Sequence, residues 1–143
     1  MSEEMLSTKL ILVDGQMRFD ATARDNPSIS VDYFPPLGTE QGYTSLELLL
    51  ISLASCTAST VMSLLRHRMR REVTGFEATC SGVLRQEHPK TFTRIDLDMT
   101  IVSPEATEAE VERALKSAED KVCPVWALIK GNVEVVTTFT IKR

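Results

Sequence analysis

The sequence predicts an α+β fold in which largely antiparallel sheet packs on a few helices. Three observations carry that reading. Strands come in runs separated by helices, in the order β-β-β-α-β-β-α-β, rather than alternating with them. Thr91 to Val102 alternates cleanly, with Ile95, Leu97, Met99 and Ile101 against Arg94, Asp96, Asp98 and Thr100, the pattern of a half-buried antiparallel strand. One central stretch, Thr44 to Arg71, is apolar on almost every side and ends in a basic run.

The 143 residues suit a single domain, 1–143, with residues 1–8 expected to be a flexible tail. With 43% hydrophobic and 25% charged residues, disorder is not expected. A net charge of -4 argues against nucleic acid as a partner. Three cysteines and no C-x-x-C motif argue against a secreted disulfide framework and for a reducing, cytoplasmic setting. With His67 and His88 the only histidines, no structural metal site is expected.

The N-terminal MSEEMLSTKL is acidic where a signal peptide would be basic. Leu46 to Leu65 has the length of a membrane span, but 7 of its 20 residues are Ser, Thr or Glu. That polarity argues for a core helix and against a membrane partner.

Taken in order, Lys9–Val13 is a short apolar strand, and Asp14-Gly15 a hairpin turn. Met17–Thr22 and Ser28–Tyr33 are two further strands, the latter with Ile29, Val31 and Tyr33 on one face. Thr44 opens the long helix with a capping box, Thr44-x-x-Glu47. Arg66, His67, Arg68, Arg70 and Arg71 stand at its end, where cations offset the helix dipole.

Val73–Leu84 is extended, with Phe76, Ala78, Cys80 and Leu84 on one face and Gly75 and Gly82 marking bends or bulges. Thr107-x-x-Glu110 is a second capping box. The helix it opens has Val111, Ala114, Leu115, Ala118 and Val122 on one stripe and a Glu112–Lys116 pair outside. Cys123-Pro124 ends it, Val125–Ile129 adds a short turn of helix, and Val133–Ile141 is the last strand. A single six-stranded sheet cannot cover a helix apolar on nearly all sides. A second copy of the chain removes the difficulty, so an obligate homodimer is expected.

Cys56 lies in the middle of the long helix among Ser52, Ala54, Ser55, Ala58 and Ser59. It reads either as a nucleophilic thiol or as a small core residue. About three turns from the helix start, it gains little from the dipole, so activation needs a cation from elsewhere. Cys123, at a helix end, reads as a thiol that condenses with a Cys56 sulfenic acid, or as core. Cys80 reads as core. Arg18 is a candidate for the cation, or an exposed strand arginine, and Glu47 either orients it or only caps its helix. His88 reads as solvated; Trp126 and Phe34 line an apolar pocket or belong to the core.

LELLLISLASCT, the basic helix end, HPKTFTRIDLDMTI and Cys123-Pro124-Val125 together resemble the OsmC/Ohr family of osmotically inducible proteins and organic hydroperoxide resistance proteins, in its divergent OsmC-like branch. The resemblance runs from about Lys9 to Ile141. It implies the OsmC-like fold, an intertwined homodimer with antiparallel sheets wrapped around two long central helices. It also implies reduction of organic or other hydroperoxides through a Cys56 sulfenic acid resolved by Cys123. No cofactor or metal takes part, Arg18 stands at the thiolate-stabilising position, and a dithiol of lipoyl type is the reductant. The family's glutamate position falls on Leu46, and Glu47 lies about 100° further round the helix. The alternative is a small-molecule binding or redox-sensing protein that keeps the fold without efficient turnover.

Overall fold

The computed structural model describes residues 3–143; of the expected N-terminal tail, positions 1 and 2 lie outside the described residues. Residues 3–8 have no regular structure and are exposed. The chain gathers into two compact units, one ending at Leu49 and the other spanning Leu50–Arg143.

In the N-terminal unit, β1 (Lys9–Leu12), β2 (Phe19–Thr22) and β3 (Ile29–Val31) form an antiparallel meander in the order β1-β2-β3. Its first turn is set by Asp14, whose carboxylate accepts from the backbone N–H groups of Gln16 and Arg18. The loop after β3 is organised by Asp32, which is 3% exposed. Burial pushes its carboxyl upward, but N–H donation from Gln41 and Tyr33 and two bonds from Thr39 outweigh that and leave it lowered. Gly38 is required here, because a Cβ would strike Tyr33 O and the Asp32 carboxylate.

The helix α1 (Ser45–Ser63) begins as its sequence dictates. Glu47 N–H donates to Thr44 Oγ1 at 3.3 Å, and Thr44 N–H donates to the Glu47 carboxylate at 2.8 Å. A π-helical turn, Leu64–Arg68, continues it. Arg70 then adopts φ 58°, and Arg71 N–H donates to Leu65 O. This is a left-handed helix stop more often made by glycine.

In the C-terminal unit, β4 (Gly75–Leu84), β5 (Phe92–Val102) and β6 (Glu134–Lys142) form a second sheet in the order β4-β5-β6. The six strands therefore form two sheets of three, the first being the N-terminal meander expected from the sequence. β5 pairs antiparallel with β4 but parallel with β6. The helical connection between β5 and β6 returns the chain to the end where β5 began, and that return forces the parallel pairing. Beside a β-bulge at Val83/Leu84, Gly82 lies where a Cβ would run into the Phe92 ring.

The alternation in β5 gives the core directly: Ile95, Leu97, Met99 and Ile101 are each at most 1% exposed. Each such side chain contributes about 1.5–3 kcal/mol by leaving water. Leu97, Met99 and Ile101 pack with Val61 of α1, Leu65 of the π-helical turn and Val111, Ala114 and Leu115 of α2 (Glu108–Ser117), and Ile95 packs with Leu53, Ala118 and Trp126. Phe76 and Cys80 of β4 join them half-buried, whereas Ala78 and Leu84, expected on the same face, are exposed.

α2 also passes into a π-helical turn, Ala118–Val122, closed by Cys123 N–H donating to Ala118 O. The wider turn takes Val122 off the apolar stripe, so it is 50% exposed rather than buried as expected. Lys116 pairs with Asp120 at 3.2 Å. The expected Glu112–Lys116 pair does not occur among the described ion pairs.

Glu110 joins the second capping box to the end of the first helix. It accepts from Thr107 N–H at 3.0 Å and from Arg71 Nε at 3.0 Å. The Arg71 hydrogen bond, then the Thr107 N–H, hold its carboxyl below the usual 4.5 despite burial. A depressed folded value stabilises above the unfolded value and loses that stabilisation as pH falls through the folded one. Stability should therefore fall below about pH 4.5. Glu110→Gln should flatten that part of a Tm-against-pH curve; an unchanged acid limb would remove this group from the account.

Candidate active site

Cys56 is on α1, one position round from the buried stripe of Leu53, Thr57, Thr60 and Val61. It is partly exposed. Cys123 is 1% exposed and stands between the π-helical turn and α3 (Pro124–Ile129), which it caps. Two facts of local folding place it there. Pro124 cannot continue the preceding helix but suits the first position of the next. The Cys123 sulfur then accepts from Trp126 N–H at 3.5 Å.

The structure brings these two thiols together: the sulfurs are 2.9 Å apart, both free. A disulfide at ~2.05 Å needs the sulfurs to close by only about 0.9 Å. Leu50, Leu53, Ile95, Ala118, Trp126 and Val135 enclose the pair in an apolar cluster. Burial, most of all, pushes the Cys56 thiol up; the hydrogen bond with Cys123 adds to this, and Val125 N–H opposes it. Among the described residues of this unit, none supplies a cation to the Cys56 sulfur.

The remaining candidates fall as follows. Cys80 packs against the same cluster from β4, and burial raises its thiol. Arg18 is in the N-terminal unit, where its Nη1 donates to Gln41 Oε1 at 2.6 Å; its Nε is buried without a partner. Glu47 is engaged with Thr44 in the helix cap, which is the simpler of the two roles expected of it. His88 is exposed. Trp126 is buried and, with Leu115, Thr137 and Phe139, lines a surface crevice of about 290 Å³ rimmed by Glu112, Lys116 and Glu119. Phe34 is 48% exposed and stacks at a tilt on Tyr33. No cluster suited to a metal ion occurs among the described residues.

Sequence reasoning missed Thr57. It is fully buried, and its Oγ1 lies 4.0 Å from the Cys123 sulfur. The available signal was a hydroxyl placed one turn from both Leu53 and Val61 on the apolar face of α1.

A family model described as OsmC-like protein matches residues 38–138. The chain belongs to the OsmC-like family. The match takes in both cysteines and every element from α1 to most of β6. Protein YhfA of Escherichia coli (strain K12) is 26% identical over 96 residues, covering 67% of this chain and 71% of that protein.

Among solved structures, a hypothetical protein from Aquifex aeolicus VF5 superposes with a TM-score of 0.84 at 26% identity, over 98% of each chain. An OsmC like protein from Mycoplasma pneumoniae gives 0.82 at 19% identity, over 99% of this chain and 100% of that one. An organic hydroperoxide resistance protein OsmC from Legionella pneumophila gives 0.70 at 16%, over 98% and 99%. These last two likenesses establish the OsmC-like fold over almost the whole chain.

Proposed function

We propose that this OsmC-like protein is a thiol-dependent peroxidase that reduces organic hydroperoxides. The observation that carries the reading is the 2.9 Å approach of a partly exposed Cys56 to a buried Cys123. Two family relatives of the same fold are organic hydroperoxide resistance proteins, from Legionella pneumophila and, as OhrB, Bacillus subtilis.

The steps balance without a cofactor. The Cys56 thiolate attacks the outer peroxide oxygen, the O–O bond breaks, and the alcohol leaves after taking a proton. The Cys56 sulfenic acid then receives the Cys123 thiolate, forming the S–S bond and releasing water. A dithiol reduces this disulfide by two exchanges and is itself oxidised. The more exposed Cys56 sulfur is the one it reaches. Catalytic loss of cumene hydroperoxide in the presence of dihydrolipoic acid tests the reading; consumption no faster than with the dithiol alone would sink it.

The raised Cys56 thiol favours a second reading, because reactive cysteines carry lowered values. In it the pair is a redox sensor or the protein binds a small molecule, and Cys56 oxidises slowly without turnover. Arg18 remains the family-position candidate for activating the thiol.

The working form is proposed to be a homodimer. Four residues of α1 are buried, and Ile51 is 48% exposed. In β1, Leu10, Ile11 and Leu12 are between 48% and 57% exposed. Such surface asks for a partner, and a second copy is the simplest one. Sedimentation should give twice the chain mass at micromolar concentration; a monomer there would remove the proposal. Ser45–Arg68 is long and apolar enough to span a membrane. Membership of the OsmC-like family favours reading it as the core helix of a small soluble protein, and the cytoplasm as its location.

A further inference from the structure

Four hydroxyl side chains on the middle of α1 divide into two kinds. Ser55, Ser59 and Thr60 donate to backbone carbonyls one turn back, those of Ser52, Ser55 and Cys56. This is the ordinary resting place of a helical hydroxyl. Thr57 does otherwise. It is fully buried, flanked on its face by Leu53 and Val61, and the side-chain partner of its hydroxyl is the Cys123 sulfur at 4.0 Å. A hydroxyl in that setting has no packing advantage over a valine and a desolvation cost that only a hydrogen bond offsets.

We propose that Thr57 is a positioning residue for the resolving thiol, donating its O–H to the Cys123 thiolate. The proposal rests on the Cys56–Cys123 chemistry above and assigns that chemistry a residue it did not contain. Cys123 has to carry negative charge twice: when it attacks the oxidised Cys56, and when it leaves as the disulfide is reduced. At 1% exposure water does not solvate that charge. Trp126 N–H at 3.5 Å and the Thr57 hydroxyl are the donors that face the sulfur. One is fixed backbone; the other rotates, so it can accept from the thiol and donate to the thiolate. Thr57 also follows Cys56 directly in sequence, so one helical turn fixes the attacked sulfur and the donor to its attacker.

The test uses glutathione disulfide as oxidant, which makes it independent of peroxide chemistry. Cys56 displaces one glutathione thiolate and becomes a mixed disulfide; Cys123 then displaces the second and closes the intramolecular bond. In the 143-residue chain carrying Cys80→Ser, quenched mass spectrometry resolves the two steps. In Thr57→Val, closure should slow about tenfold or more relative to adduct formation, the loss expected for a hydrogen bond to a charged group, so the Cys56–glutathione adduct accumulates. Thr57→Ser should restore closure, which a purely packing role would not predict. Thr57→Ala reads the same quantity where the valine variant fails to fold. Closure at the unsubstituted rate in the valine or alanine variant, or no restoration by serine, overturns the assignment. Closure by glutathione disulfide in a protein that ignores hydroperoxides overturns the peroxidase and leaves Thr57 standing. No closure in the unsubstituted protein overturns both.

Discussion

Cys56→Ser should abolish the proposed hydroperoxide turnover, by a factor on the order of a thousand or more, because it removes the nucleophile and not an auxiliary group. A serine hydroxyl at that position has no means of attacking a peroxide oxygen, and nothing else on the cluster replaces it. Cys123 is 1% exposed and Cys80 stands on β4 with its thiol raised by burial, so neither offers an accessible thiolate. The fold should survive. Cys56 is partly exposed and flanked by Ser55 and Thr57, and the exchange of sulfur for oxygen leaves the volume close to unchanged. The variant should therefore unfold within a few degrees of the parent while losing activity. Turnover comparable to the parent would place the chemistry elsewhere.

Cys123→Ser separates the two half-reactions. The first needs only Cys56, so one equivalent of hydroperoxide per chain should still be consumed in a burst. The second then lacks its intramolecular partner. With the sulfurs held 2.9 Å apart, the lost effective concentration is large, and steady turnover with a dithiol should fall by about ten- to a hundredfold. The sulfenic acid on Cys56 should persist long enough to be trapped by dimedone and, with excess peroxide, pass to the irreversible sulfinic acid. Cys123 also caps α3 through Trp126 N–H. Serine caps at least as well, so the loss reports chemistry and not a frayed helix. A variant with undiminished turnover would show that the disulfide is not an intermediate.

Much of the fold was legible in the sequence because local chemistry and tertiary packing agree. Both capping boxes, at Thr44/Glu47 and Thr107/Glu110, form as their spacing requires. The alternation of Thr91–Val102 reappears as the buried face of β5. What was not legible depends on non-local or graded effects. Sheet count and the parallel β5–β6 pairing follow from where the helical connection returns, not from any residue in β6. The π-helical turn before Cys123 has no sequence signature, and it moved Val122 to the surface. At the site, residue type and family resemblance singled out the two cysteines. Their approach, and the Thr57 hydroxyl beside them, emerge only when α1 and α3 are packed on the same sheet.

The most direct test of the account is disulfide mapping after a single oxidation. Fully reduced protein is mixed with one equivalent of cumene hydroperoxide per chain, quenched with an alkylating reagent and digested. The account predicts one linked peptide pair, Cys56 with Cys123, two thiols lost per chain, and Cys80 recovered alkylated. Three alkylated cysteines with the peroxide intact, or a link through Cys80, would contradict it.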